Sequence, residues 1–331
     1  MVAPWIDCPS LEIDHRLPPL RRFSDAPPEA IRRGRELLQS VMTDVPEMAR
    51  LAIPLVQQRT GDRFQKEIEG LARTFDVDWR DLLIANISYD LTIGSLGCST
   101  IALATAEGPV VARNMDWWPE DLLARASCLI RVSQGNELLF ANAGWPGSIG
   151  AVTGLSGNGF AVVLNAVMSP EGARTDGYPV MLYLRTVLED ASGFDEALQM
   201  LQNETLAASA LITLVGSEND QRVVIERSPT QQALRWATDG QPLAATNDYR
   251  KLYRTTTHAS SEIFETTCSR YDALLRFFAN QSNDRPVSDE QLLYLLTDPN
   301  VLAGITAQHI IMRPAQQSIR LLAPRRFFGE N

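Results

Sequence analysis

The sequence is poor in the residues that enzymes most often use as bases and metal ligands. Among 331 residues there are three widely separated histidines, at His15, His258 and His309. The four cysteines form no CxxC pair and are scattered at Cys8, Cys98, Cys128 and Cys268. This spacing predicts neither a zinc site nor a disulfide framework, and we expect no metal and no cofactor. A nucleophile in this chain would therefore need a base other than imidazole.

A net positive charge, long apolar runs and nucleotide motifs are also lacking. The formal net charge of -10 argues against nucleic acid as a partner. No window approaches the roughly 18 uninterrupted apolar residues of a spanning helix, so we expect no integral membrane segment. There is no GxGxxG after a strand and no GxxxxGK[ST], which excludes the usual dinucleotide and P-loop sites. The first residues lack a secretory signal pattern. We expect a soluble cytoplasmic protein, or a lysosomal one if a signal was removed, and the oligomeric state stays open.

The pattern of apolar residues changes near Cys98. In residues 26–95 apolar side chains recur at spacings of three and four residues, which predicts several amphipathic helices. From Cys98 short strand-like runs alternate with Gly, Asn, Pro and Ser signals, which indicates hairpins of an antiparallel sheet. A helical stretch with a stop and a restart follows at 178–203, then further strands, helices near 261–280 and 288–296, and a closing hairpin. Strand groups flanked by helices predict an α+β layered fold rather than a doubly wound parallel sheet.

The stretch "SLGCSTIALATAEGPVVARNMDWW" places Cys98 directly after Gly97 and ends near three polar residues. A thiol is a good nucleophile only as thiolate, so it needs a proton acceptor or a neighbouring cation. If the bond between Gly97 and Cys98 were cut, the freed α-amino group, with a pKa of about 7.7–8.0, would be that base. Arg113 would then supply a positive charge to the sulfur, and Asp116 a carboxylate to the amine.

A plainer interpretation also fits these residues. Most free cysteines are small buried hydrophobes, and an Arg and Asp pair at a strand end is often solvated and contributes little to stability. A further point separates the two interpretations. Arg113 and Asp116 are three apart, so on a regular strand they leave opposite faces. A shared site with Cys98 therefore predicts that the strand ends or bulges at residues 114–116.

The stretch resembles the N-terminal nucleophile hydrolases of the choloylglycine hydrolase superfamily, and acid ceramidase and N-acylethanolamine-hydrolysing acid amidase in particular. "CSTIAL" and "ARNMDW" correspond to their Cys-Thr-Ser-Ile-Val strand and Gly-Arg-Asn-Met/Leu-Asp turn, with the small pair exchanged. Five colinear segments carry the resemblance across nearly the whole chain: "LPPLRRF", "FQKEIEGLARTFDVDWRDLLIANISYDL", "GSIGAVTGLSGNGFAVVLNAV", "LRTVLEDASGFDEALQML" and "PLAATNDYRKLY".

The resemblance implies roles for individual residues. Cys98 would be the nucleophile that self-cleavage after Gly97 exposes, with Arg113 and Asp116 as its immediate partners. Asn247 in "ATNDY" matches the asparagine whose amide helps form the oxyanion hole.

Two further residues match less of the family pattern. Arg270 in "CSRYD" stands where these enzymes carry a second active-site arginine. Asn165 in "VVLNAV" stands where bile-salt hydrolases have another oxyanion asparagine, but Ala166 replaces the glutamate of acid ceramidase. Without the resemblance, residues 246–248 would be interpreted as an Asx turn and Arg270 as an ordinary helix residue.

The implied fold is the four-layer α-β-β-α fold with two stacked antiparallel sheets and an amino-terminal helical segment. Residues 1–97 would form the smaller subunit after cleavage and residues 98–331 the catalytic one, within one compact unit. The implied function is hydrolysis of a linear fatty-acyl amide, such as an N-acylethanolamine or a ceramide-like lipid, through a Cys98 thioester. A bile-salt or penicillin V type acylase and an acyltransferase are alternatives, and a non-catalytic lipid- or partner-binding relative is another.

Apolar residues near the motif would line an acyl-chain pocket, although clustered apolar residues are as often plain core. The candidates are Trp117, Trp118, Trp145 and Met168.

Overall fold

Two β-sheets lie face to face at the centre of the chain, in a computed structural model that describes residues 4–92, 96–238, 240–253, 265–278 and 285–329. Every neighbouring pair in the first, six-stranded sheet is antiparallel. From edge to edge its strands are β1 (Trp5–Asp7), β14 (Ser318–Pro324), β13 (Thr306–Arg313), β4 (Val110–Trp117), β3 (Leu96–Leu103) and β12 (Leu243–Ala245).

The second sheet has eight strands and is antiparallel except at one edge, where the last two strands run parallel. Its strands in order are β11 (Gln232–Trp236), β10 (Arg222–Arg227), β9 (Ala210–Val215), β8 (Phe160–Asn165), β7 (Thr153–Ser156), β6 (Glu137–Gly144), β5 (Cys128–Gln134) and β2 (Ser10–Asp14). β4, β8, β9 and β10 are buried along their whole length, as expected for strands covered on both faces.

Helices cover the outer face of each sheet. The helices of the amino-terminal segment are α1 (Pro28–Asp44), α2 (Ile53–Thr60), α3 (Gln65–Phe75), α4 (Trp79–Asn86) and α5 (Ser88–Thr92). Those that follow are α6 (Glu120–Ala126), α7 (Val180–Asp190), α8 (Phe194–Asn203), α9 (Thr267–Phe278) and α10 (Asp289–Leu296). α7 and α8 pack on the eight-stranded sheet, α9 and α10 pack on the six-stranded sheet, and β3 contacts β8 between them. None of these helices is both long and apolar enough to span a membrane.

This α-β-β-α layering confirms the predicted fold class, with one correction. The amino-terminal segment is mostly helical, and its two short strands, β1 and β2, extend one sheet each. The second sheet is mixed rather than purely antiparallel, because β2 pairs in parallel with β5. β2 belongs to the amino-terminal segment and is not joined to β5 by a hairpin. The predicted helices at 178–203, 261–280 and 288–296 correspond to α7 to α10. Residues 93–95, 261–264 and 279–280 of the predicted helices lie outside the described residues.

A network of buried ion pairs joins the amino-terminal segment to α7. Arg185 of α7 lies 3.0 Å from Glu189 and 3.5 Å from Glu67 of α3. Glu67 also pairs with Arg22 at 2.8 Å, and the ring Nε2 of His15 lies 3.3 Å from Glu189. Removing one member of a buried network leaves an unpaired charge, which costs more than the pair contributes. This network is therefore a major contact between the segments before and after Cys98.

We expect Glu189→Gln to lower the free energy of unfolding by about 3 kcal/mol, because Arg185 then loses a charged partner. Burial alone would raise the pKa of Glu189, but Arg185 and Arg63 outweigh it and lower the pKa from 4.5 to about 2. A lowered carboxyl pKa contributes stability that is complete above pH 4.5 and is lost as the pH falls through about 2. Denaturant unfolding should thus give the same loss at pH 5.5 and at pH 7.

Glu29→Gln is the matched control, because Glu29 pairs with Arg32 and Arg33 on the exposed surface of α1. Exposed pairs contribute at most about 1 kcal/mol. Equal losses for the two variants, or a Glu189→Gln loss that disappears between pH 7 and 5.5, would contradict the account of the network.

Candidate active site

The thiol of Cys98 contacts the guanidinium of Arg113 in the layer between the sheets. In the pairing of β3 with β4, Cys98 lies across from Met115 and Thr100 lies across from Arg113. Opposed residues of an antiparallel pair share a face, as do alternate residues along each strand. Cys98 and Arg113 therefore meet on one face, with Arg113 Nη2 2.6 Å from Cys98 Sγ and both side chains buried.

Among the described residues, Arg113 has no carboxylate within ion-pair distance. Its Nη1 donates to Thr153 Oγ1 at 2.6 Å and its Nε donates to the carbonyl of Asn114 at 3.3 Å. A buried charge is costly unless it is paired. The Cys98 sulfur is thus the group in contact with Arg113 that can supply a negative charge.

The pKa of the Cys98 thiol is raised, chiefly because the residue is buried. The Arg113 charge acts in the opposite direction and lowers this pKa, whereas the Asp116 charge raises it. In the uncleaved chain the thiol is therefore mainly protonated near neutral pH, and a nearby base is needed to form the thiolate.

The backbone of Cys98 is held by Asn247 and Arg270. The Cys98 N–H donates to Asn247 Oδ1 at 3.1 Å, and the Cys98 carbonyl accepts from Arg270 Nη1 at 2.7 Å. Arg270 Nη1 also donates to Ser99 Oγ at 2.8 Å, while its Nη2 donates to Asn247 Oδ1 at 2.8 Å. Strand β3, the loop after β12 and helix α9 thus converge on one residue.

These contacts fix the orientation of the Asn247 amide. Its Oδ1 faces two donors, so the amide nitrogen must point the other way, where Nδ2 donates to the carbonyl of Ala166 at 2.9 Å. Thr267 Oγ1 accepts from the Asn247 backbone N–H at 2.8 Å and holds the loop. Nδ2 carries two hydrogens. One is taken by Ala166, and the other can donate to an oxyanion.

Asp116 lies on the opposite face of β4 from Arg113, directly across from Gly97. Its Oδ1 accepts from Thr306 Oγ1 at 2.6 Å, and its buried Oδ2 has no hydrogen-bond partner among the described residues. Burial raises the pKa of Asp116, although the charges of Arg270 and Arg113 oppose this. A buried carboxylate oxygen without a donor can accept a hydrogen bond from an N–H group or form an ion pair with a cation.

The expected end or bulge of the strand at residues 114–116 is wrong. β4, which is described throughout, continues to Trp117, and the register shift lies in the neighbouring β13 between Thr306 and Gln308. Regular alternation does separate Arg113 from Asp116. They approach Cys98 from the two faces of the sheet, Arg113 at the sulfur and Asp116 beside the Gly97–Cys98 bond.

Asn165 lies in the same region but is committed to structural contacts. Its Oδ1 accepts from Thr100 Oγ1 at 2.8 Å, and its Nδ2 donates to the carbonyls of Ala245 and Thr246, both at 3.0 Å. Both amide hydrogens are therefore used. In this structure Asn165 links β3, β8 and the loop that carries Asn247, and an oxyanion role for it stays a prediction.

A cavity of about 510 Å³ is lined by Trp117, Trp118 and Trp145 and does not include Cys98 in its walls. Trp117 is two residues beyond Met115, so its side chain lies on the same face of the sheet as those of Met115 and Cys98. Trp117 and Trp145 are buried and stack edge to face with ring centroids 5.7 Å apart, whereas Trp118 is 55% exposed. Met168, the fourth predicted pocket residue, does not line the cavity.

The cavity walls come from both sides of the Gly97–Cys98 bond. The amino-terminal segment supplies apolar side chains from α1, α4 and α5, and the later segment supplies Leu123, Met181 and the three tryptophans. Asn86 of α4 joins the two walls, because its Oδ1 accepts from the backbone of Ile149 and Gly150 and its Nδ2 donates to the carbonyl of Gly147. The volume is typical of small-molecule sites, which occupy about 300–1,000 Å³.

Residues 103–302 match the family model described as acyl-coenzyme A:6-aminopenicillanic acid acyl-transferase. The chain belongs to this family. The match contains Arg113, Asp116, Asn247 and Arg270 and begins five residues after Cys98.

Curated relatives of this acyl-transferase family member include two kinds of amidase. Acid ceramidase of Balaenoptera acutorostrata scammoni is 25% identical over 193 residues, which are 51% of this chain and 48% of the relative. N-acylethanolamine-hydrolyzing acid amidase of Caenorhabditis elegans is 25% identical over 181 residues, which are 50% of each chain. The chain spans about half the length of the curated relatives it matches.

The solved structure of the Caenorhabditis elegans N-acylethanolamine-hydrolyzing acid amidase ortholog superposes with a TM-score of 0.54 at 19% identity. The superposition covers 66% of this chain and 93% of the amidase chain. The likeness shows that the two chains share a fold, the N-terminal nucleophile hydrolase fold expected from the sequence.

Sequence reasoning missed the hydroxyl groups that hold the site. Thr153, Thr267 and Thr306 each bond to a predicted site residue, yet they belong to three different elements far apart in the chain. No local motif marks them, since Thr306 reaches Asp116 through the pairing of β13 with β4, Thr153 reaches Arg113 through the stacking of the sheets, and Thr267 is brought by α9. The described residues hold no group of three or more His, Cys, Asp or Glu side chains placed to bind a metal.

We expect Arg113→Met and Asp116→Asn to shift the pKa of Cys98 in opposite directions. Loss of the cation should raise this pKa further, and loss of the anion should lower it. At a fixed pH below the thiol pKa, iodoacetamide should therefore modify Cys98 more slowly in the first variant and faster in the second, by about tenfold per pKa unit.

The measurement is the rate of Cys98 modification by peptide mass spectrometry across pH 6–10. Arg125→Met, which alters an exposed arginine of α6, is the control. A change in the same direction for both site variants would contradict the opposed roles of the two charges.

Proposed function

We propose that this protein is a self-processing cysteine amidase that hydrolyses a linear N-acyl amide with a fatty-acyl chain. The observation that carries the proposal is the buried 2.6 Å contact between Arg113 and the Cys98 sulfur, with no competing carboxylate on Arg113 among the described residues. Membership of an acyl-transferring family and the amidase names of the relatives support it.

Maturation begins at the peptide bond between Gly97 and Cys98. The Cys98 sulfur attacks the Gly97 carbonyl carbon, and the acyl group moves from nitrogen to sulfur as a thioester while the nitrogen gains a proton. Water then hydrolyses the thioester, which releases a Gly97 carboxylate, the Cys98 thiol and its α-amino group. The acceptors for that amine would be Asn247 Oδ1, which holds the Cys98 N–H in the uncleaved chain, and Asp116 Oδ2, which has no hydrogen-bond partner among the described residues.

Turnover uses the same atoms. The Cys98 amine takes the thiol proton, and the sulfur attacks the substrate carbonyl carbon. The second N–H of Asn247 Nδ2 stabilises the oxyanion, a contact worth about 3–4 kcal/mol in comparable sites. The intermediate collapses to a thioester and the amine leaves with the proton. Water, deprotonated by the Cys98 amine, then hydrolyses the thioester to the acid and restores the thiol.

Mass spectrometry of the purified protein tests this proposal. We expect two pieces, residues 1–97 and residues 98–331, from the wild-type chain and one intact chain from Cys98→Ala, with acyl-amide hydrolysis lost in that variant. Cys128→Ala is the control, because Cys128 is buried outside the site and should leave both processes intact. Hydrolysis of amides by an uncleaved chain, or cleavage of Cys98→Ala, would refute the mechanism.

An acyltransferase is the second candidate, and the description of the matched family favours it. In that reaction an acceptor amine replaces water at the thioester. Product analysis with and without added amine separates the two outcomes. A bile-salt or penicillin V type acylase would instead prefer the amides of those compounds in a substrate panel. Ligand binding without turnover, unchanged in Cys98→Ala, would indicate a non-catalytic lipid-binding protein.

The cavity supports the choice of an apolar acyl group, since most of its lining side chains are aliphatic or aromatic. We propose that the acyl chain extends from Cys98 past Trp117 into this cavity. We also propose that the protein is cytoplasmic, or lysosomal if a signal was removed. Cleavage after residue 97 would divide it into two subunits.

Val41→Trp should shorten the acyl chain that the protein accepts, because Val41 of α1 lines the cavity and tryptophan would fill part of it. Each excluded methylene costs about 1–3 kcal/mol of transition-state binding. We expect kcat/KM to fall at least tenfold for long acyl chains and to change little for short ones. Val77→Trp, at a half-buried position outside the cavity, is the control. A loss independent of chain length would place the acyl group elsewhere.

A further inference from the structure

Thr153 is the contact of Arg113 on the opposite sheet. It begins β7 in the eight-stranded sheet, and its Oγ1 accepts from Arg113 Nη1 at 2.6 Å. Its side chain is buried, as are the guanidinium and the Cys98 thiol. The hydroxyl therefore bonds to a cation away from water, where a hydrogen bond to a charged group is strong.

The geometry of the guanidinium makes this contact directional. Arg113 reaches from β4 of one sheet towards β7 of the other, and its two terminal nitrogens bond to different groups, Nη1 to Thr153 and Nη2 to the Cys98 sulfur. A guanidinium is planar, so fixing Nη1 also fixes the direction of Nη2. The third nitrogen makes a longer contact, 3.3 Å, to the adjacent carbonyl of Asn114.

We infer that Thr153 is a positioning residue, which aims the Arg113 guanidinium at the Cys98 sulfur and so determines how readily the thiolate forms. Loss of its hydroxyl leaves a buried N–H of Arg113 without this acceptor, and the guanidinium turns towards another one. The sulfur then loses part of its cationic contact, and less thiolate is present at a given pH.

The inference rests on the proposed function only in giving the thiolate a catalytic task, and its test does not require turnover. The rate at which iodoacetamide modifies Cys98 is measured from pH 6 to pH 10 by peptide mass spectrometry. Thr153→Val replaces the hydroxyl with a methyl group of similar size, whereas Thr153→Ser keeps the hydroxyl and removes the methyl group.

We expect Thr153→Val to slow the modification about tenfold below the thiol pKa and to move the pH profile upward, because a hydrogen bond to a charged group is typically worth that factor or more. Thr153→Ser should restore the wild-type profile. A packing role would give a different result, since both variants would then lower the melting temperature without moving the profile.

Thr153→Ala provides a second comparison if Thr153→Val does not fold, because alanine and serine differ only in the hydroxyl. A profile for Thr153→Val or Thr153→Ala that matches the wild type would overturn the inference, as would Thr153→Ser behaving like Thr153→Ala. If no variant or wild-type protein hydrolyses an amide, the proposed function fails while the modification rates still decide the role of Thr153.

Discussion

The site depends on one buried guanidinium. Arg113 is held between two sheets, with no carboxylate in contact in the part of the chain that the structure describes. Such an arrangement is stable only if a polarisable or anionic group satisfies the charge. The Cys98 sulfur meets that requirement because β3 and β4 are paired in a register that puts both residues on one face. The contact between Cys98 and Arg113 therefore follows from strand register, and a slip by one residue would separate the pair.

The sheet itself divides the work at Cys98. The sulfur is on the face that points to the second sheet, whereas Asp116 is on the face covered by helices α9 and α10. Asn247 and Arg270 hold the backbone between these faces. If the chain is cleaved as proposed, Cys98 would present its thiol to one environment and its amino group to another, so that substrate and proton acceptor would not compete for the same space.

Much of this arrangement could be predicted from the sequence, but only where local signals exist. Alternation and turn residues located most strands, and the motif around Cys98 identified Arg113 and Asp116. The short strand β2 was missed because "SLEID" follows no hairpin signal and gains its stability from pairing with β5. The regular course of β4 was misjudged, since the sequence could not show that Asp116 reaches the site from the other face. Met168 does not line the cavity, because closeness in sequence to the motif residues does not place a side chain in a cavity.

Strands β1 and β2 tie the amino-terminal segment to both sheets, in addition to its contribution to the cavity walls. Each is the outermost strand of its sheet, so a cut after Gly97 would turn two intramolecular sheets into sheets shared between polypeptides. Loss of the smaller piece would uncover the edges of β14 and β5. It would also expose the apolar cavity wall that the larger piece supplies. Bare sheet edges pair readily with other chains, so the separated large piece would be prone to self-association rather than persist as a soluble, dormant form.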